Sequence, residues 1–145
     1  MRIHRGEIYY INRFPTTGSE QEPGRPAVIV SNDTNNEMAE TVEVVYLTTR
    51  PKKKLPTHVS VFGTGTPSTA LCEQISTVSV DRVGSYRGKC VKSEMEAIDT
   101  AMMVSLGLGE MMTATLEEIG ESRAEVERDI YKEMYEKLLM EVMNT

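Results

Sequence analysis

Apolar residues in the body of the chain come in short runs rich in Val, Ile and Tyr, broken by Gly, Pro, Asn and Asp. That rhythm belongs to β-strands. It predicts strands near residues 6–12, 26–32, 41–48, 57–62, 69–75 and 76–80, and a further short one around 83–90. Asn32-Asp33-Thr34-Asn35-Asn36 reads as a turn cluster, and Gly63-Thr64-Gly65-Thr66-Pro67-Ser68 as a loop. Many short antiparallel strands in a small unit predict a compact barrel or curled sheet. From Ser93 the period changes. Met95, Ile98, Met102 and Leu106, with Ala101 and Ser105 alongside, share one helical face, and Ser93 with Glu96 offers a capping box. This helix is expected to lie across the sheet as part of its core.

Beyond Gly107-Leu108-Gly109 the sequence changes character. Glu121 to Met143 contains no Gly or Pro and is dense in Glu, Lys, Arg, Leu and Met, which are good helix formers. Val126, Ile130, Met134, Leu138 and Val142 recur every four residues, with Tyr131, Tyr135 and Leu139 in a row beside them. Glu133 and Lys137 form an i, i+4 pair in the favourable order. An amphipathic helix of roughly six turns is expected. The chain therefore divides into a body, 1–106, and a helical extension, 107–145.

Charge sharpens that division. The 145 residues carry a net charge of −6, which is unusual for a nucleic-acid binder. Residues 1–106 hold 12 Lys+Arg and 12 Asp+Glu, leaving 4 and 10 for residues 107–145, so the whole excess lies in the extension. The body is locally basic at Arg50-Pro51-Lys52-Lys53-Lys54. Such a loop can hold a phosphate backbone, or can simply keep the surface solvated. Cys72 and Cys90 make no disulfide framework and no metal-ligand spacing; Cys72 is expected to be a buried thiol. A secretory leader and an apolar run approaching ~20 residues are both missing, so a cytoplasmic location away from membranes is expected. With no Walker loop, GxGxxG or zinc-ligand pattern, neither cofactor nor metal is expected.

The most informative stretch is Gly18-Ser19-Glu20-Gln21-Glu22-Pro23-Gly24-Arg25-Pro26, followed by the apolar Ala27-Val28-Ile29-Val30. It places a permanent cation, Arg25, at the mouth of a loop flanked by two strands, and its planar fork matches a phosphate. Taken alone, the same residue also fits a surface arginine in a hairpin loop.

Other motifs follow in order: Arg5-Gly6-Glu7-Ile8-Tyr9, Val28-Ile29-Val30-Ser31-Asn32-Asp33, a strand ending at Thr48, Leu55-Pro56-Thr57-His58-Val59 and Cys72-Glu73-Gln74-Ile75-Ser76-Thr77. Together they resemble the MazF/PemK family of toxin endoribonucleases over residues 1 to about 106. The resemblance implies a mostly β fold, the small SH3-like barrel of CcdB/PemK toxins with a core helix; the amphipathic helix of 107–145 would be an addition to it. It also implies a homodimer, a cognate antitoxin partner, and metal-independent cleavage of single-stranded RNA at short specific sequences. In that reaction the ribose 2′-OH attacks the adjacent phosphate, leaving a 2′,3′-cyclic phosphate and a 5′-OH.

Carried onto this chain, the resemblance implies catalytic roles for Arg25, Thr48 and Glu73. It implies substrate contacts for Ser19, Glu20, Gln21, Thr49, Lys52, Lys53, Lys54 and Gln74. Some relatives have His where this chain has Ser19, and some have Arg where it has Leu71, so the general acid is unassigned. His58 is read as structural or as lying at the RNA edge, and His4 as exposed. Two other functions share the fold: a CcdB-like protein that binds gyrase without cleaving anything, and an inactive member serving as an interaction module. The extension has three readings of its own: packing on the barrel or on a second copy, covering the RNA groove as an antitoxin segment would, or docking a partner.

Overall fold

The computed structural model describes residues 2–15, 24–50, 53–109, 132–134, 136–137 and 140. Strands β1 (Glu7–Asn12), β2 (Gly24–Ile29), β3 (Thr41–Thr48), β4 (His58–Val61), β5 (Ser68–Ser79) and β6 (Val83–Lys89) form one antiparallel sheet of order β4-β5-β3-β2-β1-β6. Helix α1 (Asp33–Met38) joins β2 to β3, and α2 (Lys92–Leu106) follows β6. The strands predicted at 69–75 and 76–80 are a single strand, β5. The predicted turn cluster is mostly α1, because Asn32 caps it by accepting from the Asn35 N–H at 2.8 Å.

Alternating side chains of β1, β2 and β3 feed two cores, one on each face of the sheet. Ile8, Val28, Val45 and Leu47 pack with β4, β5 and α2 residues, including Val59, Ala70, Cys72, Ile98 and Ala101. Tyr9, Ile11, Ala27, Ile29, Val42 and Val44 pack with Ile3, Val78 and Val83 on the other face. A sheet buried on both faces needs apolar residues at consecutive positions, hence runs such as Ala27-Val28-Ile29.

Of the two forms the sequence pattern predicts, barrel or curled sheet, the structure has the second: the sheet is open, with β4 and β6 as its edges. It nevertheless curls until the edges approach. Just past β4, the Gly63 carbonyl accepts from the Lys89 N–H at 3.4 Å, and a Cβ on Gly88 would lie 1.9 Å from that carbonyl oxygen. Gly88 also has φ 144°, a conformation side chains disfavour.

Helix α2 seats on the sheet through Ile98 and Ala101, with Met95 and Met102 beside them; Leu106, expected on that face, is 59% exposed. Its capping group is Glu94 rather than the predicted Ser93–Glu96 pair. One Glu94 oxygen accepts from the Val91 N–H at 2.9 Å and the other from the Phe62 N–H at 2.7 Å, tying the helix start to the β4 edge. Arg5 ties the opposite side: its N–H donates to Asp33 at 2.7 Å, its Nε to the Val30 carbonyl at 3.0 Å, and its Nη2 to Asp99 of α2. No described helix is long and apolar enough to cross a membrane.

Of the extension, residues 132–134, 136–137 and 140 are helical and exposed, with Lys132 and Glu136 paired at 4.0 Å. The remainder of the predicted helix, including Val126, Ile130, Leu138 and Val142, lies outside the described residues.

Candidate active site

Arg25 sits at the start of β2, opposite Ile11 of β1, and is exposed. The close pairing requires a glycine before it, since a Cβ on Gly24 would stand 1.9 Å from the Ile11 carbonyl oxygen. In the β2–β3 ladder Ala27 faces Tyr46. Period-two alternation therefore puts Arg25, Tyr46 and Thr48 on one face of the sheet. The Arg25 guanidinium carbon lies 4.4 Å from the centre of the Tyr46 ring, a cation–π contact, and Nη2 donates to Gln74 Oε1 at 3.3 Å.

A break in strand register brings β5 into this arrangement. Strands β3 and β5 pair at Val45↔Ile75 and again at Leu47↔Ala70, so β3 advances two residues where β5 advances five. Ala70, Cys72 and Ile75 all pack in the core beneath α2. The two residues between Cys72 and Ile75, namely Glu73 and Gln74, both point away from that core and are both exposed. Regular alternation would have sent them to opposite faces; the bulge aims two consecutive polar side chains the same way.

Gln74 meets Arg25, while Glu73 is held from β4. Thr57 Oγ1 donates to Glu73 Oε2 at 2.7 Å, and His58 Nε2 lies 2.9 Å from Oε1. Burial works to raise the Glu73 pKa, but the hydrogen bonds from Thr57 and His58 prevail and hold it below the usual glutamate range. Thr48 closes the face: its Oγ1 accepts from the Arg50 N–H at 3.2 Å, leaving the hydroxyl proton to be donated elsewhere. Thr49, Lys53 and Lys54 are exposed in the segment that follows. Ser19, Glu20, Gln21 and Lys52 lie outside the described residues.

The structure thus brings Arg25 and Gln74 into contact, sets Glu73 next to Gln74, and joins Glu73 to His58 rather than to Arg25. Sequence reasoning missed Tyr46 and Thr57 and set His58 aside. The available signal was position: Tyr46 is two residues before Thr48, and Thr57-His58 opens the strand that pairs with the Cys72-Glu73-Gln74 strand. The cysteines take no part. Burial, reinforced by Glu73, Asp99 and Cys90, pushes the Cys72 thiol up to about 12, and burial with Glu94 does the same to Cys90. Among the described residues no group of three or more His, Cys, Asp or Glu side chains is placed to hold a metal.

This arrangement can bind a phosphate through a fixed guanidinium, donate a hydroxyl to it, and present an ionised carboxylate nearby. The fold carrying it is shared with known proteins. An endoribonuclease in complex with its cognate antitoxin from a mycobacterial species is 28% identical, with a TM-score of 0.63, over 73% of this chain and 96% of its own. A second mycobacterial endoribonuclease is also 28% identical, with a TM-score of 0.62 over 74% of this chain and 93% of its own. MazF from Deinococcus radiodurans shares the fold at 19% identity, TM-score 0.61, over 74% of this chain and 98% of its own. Residues 4–106 match the family described as PemK-like, MazF-like toxin of type II toxin-antitoxin system. With so much of its length inside that match, the chain belongs to the PemK/MazF-like toxin family of type II toxin–antitoxin systems.

Proposed function

We propose that the protein is a toxin endoribonuclease that cleaves single-stranded RNA by internal attack of a ribose 2′-OH. The observation that carries this reading is the β5 bulge, which sets Gln74 against Arg25 and Glu73 beside Gln74 on one exposed face. In the reaction the 2′-O–H proton passes to the Glu73 carboxylate as the 2′-oxygen bonds to phosphorus. Arg25 stabilises the charge that gathers on the non-bridging oxygens, and the Thr48 hydroxyl donates to one of them. The P–O5′ bond then breaks, giving a 2′,3′-cyclic phosphate and a 5′-oxygen that takes its proton from solvent. Arg25 itself is a poor base, because a guanidinium keeps its proton throughout the physiological range. In this reading the cation at the phosphate is an arginine, and no metal is required. Thr49, Lys53 and Lys54 follow the end of β3, where a basic segment would hold the RNA backbone, and we assign Lys52, Ser19, Glu20 and Gln21 to substrate binding as well.

The mycobacterial relative bound to its cognate antitoxin supports an antitoxin partner for this chain as well, and we place the working toxin in the cytoplasm as a homodimer. The test is cleavage of a long single-stranded RNA in EDTA by wild type and Arg25→Ala, with the ends mapped. Wild type should cut at discrete sites leaving 5′-OH ends, and Arg25→Ala should lose at least about 10²-fold in rate. Gyrase binding without cleavage would transfer the protein to the CcdB-like reading.

A further inference from the structure

His58 opens β4 opposite Leu71 of β5, and its side chain is 9% exposed, against 34% for Glu73. Exposure settles the order of the pair. The carboxylate is the outer group, on the surface shared with Gln74 and Arg25, and the imidazole stands behind it. Both carboxylate oxygens are held from the same strand connection, Oε1 by His58 and Oε2 by Thr57. A glutamate on a solvated surface samples many rotamers; two donors converging from one side leave it few. Each carboxylate oxygen has a second lone pair, and the side chain is 34% exposed, so a proton can still arrive.

We propose that His58 is a positioning residue for RNA cleavage: with Thr57 as second donor, it fixes the Glu73 carboxylate toward the ribose of a strand whose phosphate is bound at Arg25. The inference rests on the reading of Glu73 as the group that takes the 2′-OH proton. His58 neither donates nor accepts a proton in the step. It donates its Nε2–H to Oε1 before and after, while the proton lost by the 2′-oxygen sits on Glu73 and then leaves to solvent. The groups that bear on Glu73 are Thr57 and His58 from the β4 side, its own backbone N–H, and the buried Cys72 and exposed Gln74 on either side along β5.

The experiment compares wild type, His58→Gln and His58→Leu in kcat, KM and the pH dependence of kcat on one RNA, from about pH 3 to about pH 8, a window that spans the ordinary glutamate range and the region below it. Thermal melts establish that each variant is folded. His58→Leu removes the donor and leaves burial in place, so Glu73 should hold its proton to higher pH. Its kcat should fall by roughly 10²-fold with KM little changed, and the acid limb should move up in pH. His58→Gln keeps an N–H donor and should recover most of the rate. Wild-type kcat and pH profile in His58→Leu would overturn the role of His58 while the nuclease reading stood. A loss equal in both variants with an unmoved acid limb would make His58 merely structural, again overturning it. A wild type that cleaves no RNA would bring down this inference and the nuclease reading together.

Discussion

At the scale of single residues, the site depends on how tightly one flexible cation is held. Arg25 is exposed, and an exposed arginine ordinarily loses much of its binding energy to ordering its own side chain. Here the Tyr46 ring under the guanidinium and Gln74 at its edge do that ordering in advance. A cation–π contact at an exposed position is worth about 0.5–1 kcal/mol. Tyr46→Leu, which keeps an apolar side chain on the strand but removes the ring face, should therefore lower kcat/KM for RNA by about 2- to 5-fold. Tyr46→Phe keeps the ring and should stay near wild type. Initial rates at low substrate concentration measure both, and equal rates for the Leu variant would show that Gln74 alone suffices to place Arg25.

At the scale of elements, the curl of the sheet decides whether β4 and β5 stand where the site needs them. The curl is completed where Gly63 meets the end of β6, and Gly88 is the residue that permits it. Gly88→Ala would place a side chain in a left-handed conformation and against a backbone oxygen at once. We expect a loss of about 2 kcal/mol in chemical denaturation, from backbone strain alone, with more from the clash. Wild-type stability in that variant would mean that the edges part without cost. Much of this architecture was legible in the sequence. Strand β3 runs from Thr41 to Thr48 as its alternation predicts, and the same period puts Tyr46 and Thr48 on the face that Arg25 shares. What was hidden is what alternation cannot encode. Glu73 and Gln74 share a side only because of a bulge, and period two assigns consecutive residues to opposite faces. The His58–Glu73 pair depends on the β4–β5 register, which no local pattern states. Asn32 to Asn36 misled for a related reason: an Asx side chain caps a turn and a helix with the same hydrogen bond.

At the scale of the whole molecule, the question is why a chain proposed to bind RNA carries six excess negative charges. All six fall in residues 107–145, while the match to the toxin family is complete by residue 106. The structural cost of removing the extension should therefore be small, and its electrostatic effect large. A fragment ending at Gly109 is neutral overall by the same count, and should melt close to the full chain. RNA approaching the full chain meets net repulsion, which the exposed Lys53 and Lys54 offset only locally. The fragment should accordingly show a lower KM for RNA at low ionic strength. The gap should close toward 1 M salt, where the screening length shrinks to about 3 Å. A KM difference that survives high salt would instead mean that the extension acts by contact, covering the groove as an antitoxin segment would. Steady-state cleavage by the two proteins across a salt series separates these outcomes, and equal KM values at low salt would place the extension's charge beyond reach of the site.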